Sequence, residues 1–447
     1  MDIPESEIAP ALADSASERE ALYRRVTLRL VPFLFVCYLV AMIDRTSVGY
    51  AKLQFLTELG FSEAAYGLGA GLFFAGYVVF EVPSNIYLNR FGVRRTILRI
   101  MVAWGLATTL MFLVRTPTQF YLARFLLGVA EGGFFPGILL YITYWFPADK
   151  KGRIYAMFML SNPFSGLVGG VIAGAIMSGL DGAFGLHGWQ MLFIGVGVPA
   201  IALGIIAFFY LPDGPEQARW LTPDEKQYIA WDVAKSRASA TPSKTSALGR
   251  ALLNRRVWIA AAAYFTLVSA VTVLSLWGPS IIKSLGVHDV GMVGFVSAVP
   301  YTVGCLSMYL VGRNSDRVLE RRWHFIFCSL MAAAGALLLA TVHGHTAMSI
   351  LFISMIAFGV YGEYAVFFTM PAAFLEGAIA PAGLAIITTV GSLGGFVTPA
   401  LIGWVKSATG SLDYGIALSG LISIAGAVLV WLGIPARLMR AVEQRTH

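Results

Sequence analysis

The sequence predicts an all-α membrane protein, with twelve transmembrane helices in two pseudo-symmetric halves of six. Three observations carry that prediction. Hydrophobic residues make up 57% of the 447 residues and charged residues only 13%, where a soluble protein carries roughly a quarter charged. Apolar windows of about 20 residues, the length that crosses a bilayer, recur twelve times along the chain. Two short motifs also return at nearly one offset: GLVGG at 166–170 as GSLGG at 391–395, and NRFGVRR at 89–95 as DRVLERR at 316–322. A duplicated six-plus-six arrangement is how many carriers build a pathway between two halves. The glycines also have a plainer reading, close helix packing through small residues.

The tail expected over 1–27 opens with about 20 polar, acidic residues, MDIPESEIAPALADSASERE, with no basic leading region and no small-residue cleavage site, which argues against a cleaved signal peptide. The first half, 28–211, holds spans at 28–50, 65–87, 96–114, 118–142, 153–179 and 189–211. A central loop occupies 212–256. The second half, 257–436, holds spans at 257–282, 290–312, 323–342, 347–370, 381–406 and 414–436, and 437–447 is a C-terminal tail. Within the central loop, TPDE at 222–225 has the residues of a helix start, with Thr222 as N-cap, Pro223 first and Glu225 closing a capping box. A short amphipathic surface helix followed by a flexible tether is expected there. Asn162-Pro163 interrupts span 5, and Pro279, Pro300, Pro371 and Pro399 are expected to mark bends.

Lysine and arginine set the sidedness. They crowd the tails, the central loop and the other even-numbered loops, whereas the odd-numbered loops carry only Lys52, Arg115, Lys283 and Lys406. Both termini are therefore expected in the cytoplasm. The net charge of +7 is thus a topology signal rather than a nucleic-acid footprint, and the expected partners are the bilayer and a small solute, with the chain working as a monomer. Cys37, Cys305 and Cys328 all lie in apolar runs and have neither disulfide nor metal-ligand spacing. No metal or organic cofactor is expected. No histidine–cysteine cluster, phosphate loop or nucleophile with a base points to an enzyme.

Charges inside the membrane are functional hypotheses by default, because the bilayer centre disfavours each by about 3 kcal/mol or more. The set is small: Asp44 and Arg45 in span 1, Glu81 in span 2, Arg124 and Glu131 in span 4, and Glu363 in span 10. Arg124 and Glu131 lie two helical turns apart and so share a face. Spans 1 and 4 can therefore present Asp44, Arg45, Arg124 and Glu131 to one polar cavity. One reading is two structural ion pairs, Asp44–Arg124 and Arg45–Glu131, although such pairs rarely repay their desolvation. The other divides the labour. Arginine's fixed fork of donors suits an anionic carboxylate, and a buried carboxylate whose arginine is taken by substrate gains a proton more readily. Glu81 is expected to gate or to pair with basic residues such as Arg153. Glu363 has no evident basic partner. Tyr38, Tyr77, Tyr361, Phe368, Thr388 and Ser392 are candidates to complete a pocket, each having ordinary packing as its alternative.

These residues resemble a known family. Twelve spans, a central loop and the paired (N/D)-R-x-x-x-R-R motifs look like the major facilitator superfamily. The Asp44-Arg45 pair, FEVPSN at 80–85, RFLLGVAEGGFFPG at 124–137, HGWQMLF at 187–193, LPDGPEQARWLTPDE at 211–225 and GSLGGFVTPALIGW at 391–404 resemble its anion:cation symporter branch. Within that branch the sequence is similar to bacterial permeases for tartrate, phthalate and hydroxyphenylacetate. The resemblance implies proton-coupled uptake of a small organic anion by alternating access, in a multi-pass inner-membrane protein, with the proton as coupling ion. It implies that Arg45 and Arg124 bind substrate, that Asp44 and Glu131 carry protons, and that Tyr77, with Tyr38, Phe368, Thr388 and Ser392, forms pocket wall. Asn89, Arg90, Arg153, Asp316 and Arg317, with Glu81, fall at gating or structural positions.

The sequence departs from the branch at Asn85 and Asn89, where glycine and aspartate are usual, and at Ser47, where asparagine is usual. It departs again at Thr388, Ser392 and Phe368 in the second-half wall, so the substrate is not inherited with the resemblance. Two other functions share the same features. A proton-independent exchanger or uniporter would keep counterflow without a proton gradient, and a transporter-like ligand sensor would be expected to carry a substantial extra cytoplasmic domain.

Overall fold

In the computed structural model, which describes residues 16–238, 247–372, 374–375 and 379–435, twelve helices are long and apolar enough to cross a membrane. They are Ser17–Glu58, Glu63–Leu88, Val93–Leu113, Pro117–Trp145, Lys150–Gly179 and Gly188–Tyr210, then Arg255–Ser284, Val290–Val318, Arg322–Leu339, Thr346–Pro371, Ala382–Thr409 and Asp413–Gly433. They are numbered spans 1 to 12 below. No strand occurs among the described residues. Most of the two tails, and the expected tether at 239–246, lie outside the described residues.

Span 1 is far longer than its apolar window. Hydropathy marks only what lies in lipid, whereas Leu22, Tyr23 and Val26 at one end and Phe55 at the other are buried against protein, which keeps the helix wound beyond the bilayer.

The packing repeats with the sequence. Span 1 lies against spans 5 and 6, span 2 against span 4, and span 3 against span 6. Six spans later, span 7 lies against spans 11 and 12, span 8 against span 10, and span 9 against span 12. The halves meet along two seams, span 2 on span 11 and span 5 on span 8. Glycine makes both seams possible. A Cβ on Gly170 would stand 2.9 Å from the Gly294 carbonyl oxygen, and one on Gly67 would stand 2.3 Å from that of Pro399. The repeated glycine motifs are therefore packing surfaces. Hydrogen bonds and an ion pair join residues 52–66 of the first half to 276–283 and 406–407 of the second, on the face opposite the termini. We call this the distal face. The Gly67–Pro399 and Gly170–Gly294 approaches also lie in the distal halves of their spans.

Not every proline interrupts its helix. The helices Val290–Val318 and Ile379–Thr409 run unbroken through Pro300 and Pro399. Span 5 breaks just before Ser161-Asn162-Pro163. Span 4 breaks at Gly132-Gly133, where Gly133 takes φ +90°, a left-handed conformation that a side chain disfavours. In span 7 the turn Val273–Trp277 is a π-helix, directly ahead of Pro279.

The central loop contains the expected helix, Pro223–Ala238. Its capping box is formed: Thr222 N–H donates to Glu225 Oε2 at 3.0 Å and Glu225 N–H to Thr222 Oγ1 at 3.3 Å. The helix is bound to the first half. Tyr23 donates to Asp232 at 2.7 Å, Arg25 pairs with Glu225, and Trp220 stacks on Trp145 at 5.8 Å.

Candidate functional site

A cavity lies between the halves. Its first-half wall comes from spans 1, 2, 4 and 5 and includes Tyr38, Arg45, Phe73, Arg124 and Asn162. Its second-half wall includes Tyr264, Thr272, Ser275, Tyr301, Tyr361, Tyr364 and Ser392. All charge on the lining is on the first wall, as two arginines.

Spans 1 and 4 bring the four predicted side chains together. The guanidinium of Arg45 grips Glu131 with two nitrogens, Nε at 2.7 Å and Nη2 at 2.6 Å, both on Oε1. Arg45 keeps about a quarter of its side chain open while Glu131 is fully buried, so the arginine faces the cavity and the carboxylate stands behind it. Asp44, also buried, accepts from the Thr108 hydroxyl of span 3 at 2.9 Å. Arg124 is 1% exposed and has no carboxylate within ion-pair distance among the described residues. Of the two ion pairs the sequence allows, the structure forms Arg45–Glu131 and leaves Asp44 and Arg124 apart.

Phe73 organises the arginines. Its ring carries Arg45 at 5.2 Å and Arg124 at 5.0 Å, and Tyr77 adds a second ring under Arg45 at 5.0 Å. Aromatic faces attract cations and substitute for part of the water each guanidinium has lost. Three polar atoms of the cluster remain buried without a hydrogen-bond partner: Asp44 Oδ1, Glu131 Oε2 and Arg124 Nε. Buried polar groups are nearly always satisfied, so this concentration marks a place where further atoms are to be bound. The two carboxylate oxygens can each take a proton, and the guanidinium can take an anion.

Of the other predicted pocket residues, Tyr38, Tyr361 and Ser392 line the cavity. Tyr77 does not line it but supports Arg45. Phe368 lies behind the wall, its ring 5.3 Å from Tyr264, which occupies the lining position instead. Thr388 donates to its own helix, to the carbonyls of Leu384 and Ala385, and is not on the lining. Glu363 is 2% exposed and is not among the lining residues either. Its helix packs on span 9 there, where a Cβ on Gly359 would meet Ala332 and one on Gly362 would meet Cys328. Sequence reading missed Phe73, Thr108, Tyr264, Tyr301 and Tyr364.

At the gating positions, Asp316 pairs with Arg321 at 2.5 Å, and Arg321 also donates to Ser315 Oγ at 2.8 Å. Arg317 is exposed. In the first half, Asp213, just beyond span 6, accepts from the Arg94 backbone N–H at 2.9 Å. Arg90 stacks on Phe91. Glu81 has a buried oxygen, Oε2, without a partner. The side chains of Asn85, Asn89 and Arg153 lie outside the described residues, and with them the expected Glu81–Arg153 pairing.

Comparison with known proteins agrees with this architecture. The Major Facilitator Superfamily model matches residues 34–399. A quinolone resistance transporter of Acinetobacter baumannii is 41% identical over 424 residues, covering 95% of this chain and 97% of the relative. A putative tartrate transporter of Agrobacterium vitis is 41% identical, covering 95% and 93%. A putative metabolite transport protein of Pseudomonas putida, NicT, is 40% identical, covering 94% and 96%. Among solved structures, the D-xylose-proton symporter superposes with a TM-score of 0.72 at 15% identity, covering 92% of this chain and 98% of that one, a likeness of fold alone. This chain therefore belongs to the major facilitator superfamily and is a multi-pass membrane transporter, not an enzyme.

Proposed function

We propose that the protein takes up a small organic anion, a carboxylate, together with protons, by alternating access across a bacterial inner membrane with both termini in the cytoplasm. The observation that supports this reading is Arg124: a buried guanidinium on the cavity wall with an unpartnered Nε and no carboxylate within ion-pair distance among the described residues. A buried cation without a paired carboxylate is unfavourable, the Phe73 ring offsets only part of that cost, and a substrate carboxylate would remove more of it. A guanidinium offers a carboxylate two parallel hydrogen bonds. Two relatives named as a tartrate transporter and a metabolite transport protein are consistent with an organic-acid cargo.

Coupling follows from what Arg45 must give up. When a substrate carboxylate competes for Arg45, Glu131 loses its ion-pair partner while fully buried. A proton on Glu131 neutralises it and leaves Arg45 to the anion. Asp44, with one oxygen unpartnered and the other held by Thr108, is the second proton carrier. Substrate and proton thus bind together, and lower pH favours loading.

Proteoliposomes loaded with buffer and tested with labelled carboxylates check this. An imposed inward proton gradient should drive accumulation that a protonophore abolishes. Counterflow at full rate with no gradient-driven accumulation would instead make the protein an exchanger.

A further inference from the structure

We infer that Lys52, Glu63 and Lys406 form a latch across the distal face, and that they position the two halves so that the cavity faces the side of the termini. The inference rests on the family's two-sided transport cycle, not on the anion or proton assignments above.

Glu63 opens span 2 and holds two ammonium groups at once. Lys52, near the end of span 1 in the same half, is 2.7 Å away, and Lys406, at the end of span 11, reaches it from the other half. Lys52 is 3% exposed. Its ammonium also lies over the ring of Trp277 at 3.7 Å and that of Tyr66 at 4.6 Å. Trp277 belongs to span 7, so the chain Lys406–Glu63–Lys52–Trp277 crosses the seam twice. Ala64 N–H donating to Ser407 Oγ at 2.9 Å, and Lys283 donating to the Leu53 carbonyl at 3.0 Å, close the same seam.

The arrangement suits a switch rather than a staple. Lys52 and Glu63 are in one half, so opening the distal face leaves them paired. Within the latch the contacts to Lys406 and Trp277 are given up, while Lys52 and Glu63 keep each other. A two-state carrier needs a difference of this modest kind, one that ligand binding can reverse.

The latch is also continuous with the cavity. Trp277 ends the π-helical turn Val273–Trp277. Such turns release carbonyls from the regular ladder, and here the Leu276 carbonyl accepts from Tyr66 of span 2 at 2.9 Å. Ser275 and Leu276 of this turn line the cavity. One turn of span 7 therefore touches the substrate space on one side and the latch on the other.

Electron–electron double resonance between spin labels at Thr118→Cys and Ala347→Cys tests this. Both sites are exposed, at the distal starts of spans 4 and 10, and the three native cysteines would be replaced. Glu63→Gln and Lys406→Met should each add a longer-distance population, raising the open-to-closed ratio about fivefold or more, the lower bound of typical coupling between sites. Lys52→Met should shift it the same way through Trp277. Lys406→Arg keeps the cation and should stay within about twofold of the parent. Lys406 is a quarter exposed, so its truncation is compatible with folding, which a parent-like melting transition verifies. Unchanged distance distributions in both folded Lys406→Met and folded Glu63→Gln would overturn the proposal.

Discussion

The two walls of the cavity come from a duplicated framework and have opposite chemistry. The first-half wall carries Arg45 and Arg124, backed by Asp44, Glu131 and the ring of Phe73. The second-half wall presents tyrosines and small hydroxyls, with Tyr264 and Tyr364 in hydroxyl contact at 3.2 Å and no charged side chain on the lining. Helix packing was preserved across the repeat because it depends on small residues at close approaches. Charge was not, because each buried ion needs its own partners and a second set would add desolvation without a second substrate. The first half reads as the chemical half and the second as an uncharged wall that adapts to the body of the cargo.

The largest expected effect comes from removing the unpaired cation. Arg124→Ala should weaken carboxylate binding by about 30-fold or more, the loss expected when one member of a buried charge pair is truncated, measured by counterflow. Arg124→Lys keeps the charge without the fork and should recover only part of it. Next, Glu131→Gln should abolish accumulation driven by a proton gradient while counterflow persists, because the glutamine mimics the protonated acid. Its binding should also depend less on pH. Accumulation against a gradient by Glu131→Gln would break the division of labour.

Smaller effects sharpen it. Thr108→Val removes the hydrogen bond to Asp44, worth about 1 kcal/mol, and should move the pH profile of uptake without abolishing it. Tyr264→Phe removes one hydroxyl from the uncharged wall and should change affinity by about fivefold or less, with the size depending on the cargo. Glu363→Gln keeps the shape of a side chain that is off the cavity lining and should change uptake far less than Glu131→Gln does. An effect as large as that of Glu131→Gln would place proton chemistry in the second half and overturn the contrast.

The charged half was legible in the sequence because ions in a bilayer are too costly to be incidental, and the two-turn spacing of Arg124 and Glu131 already put them on one face. The packing repeat was legible from the glycines. The uncharged wall was not. Aromatic residues are common in membrane helices, so nothing distinguishes Tyr264 and Tyr364, which line the cavity, from Phe368, which stands behind Tyr264. Thr388 and Ser392 lie four residues apart on one helix, yet only Ser392 reaches the lining, because depth between two halves is a tertiary property. Lys52, Glu63 and Lys406 read as ordinary charges at span ends until the halves were brought together. The π-turn in span 7 leaves no pattern beyond the Pro279 that follows it.

The central claim is that Arg124 awaits an anion from the cavity and that proton binding accompanies it. Thermal stabilisation of the purified protein by tartrate, succinate and benzoate, at pH 5.5 and pH 7.5 and against neutral sugars as controls, tests it most directly. At least one carboxylate should raise the melting temperature, more at the lower pH, and Arg124→Ala should lose the response. Stabilisation by neutral sugars alone, or an undiminished carboxylate response in Arg124→Ala, would contradict it.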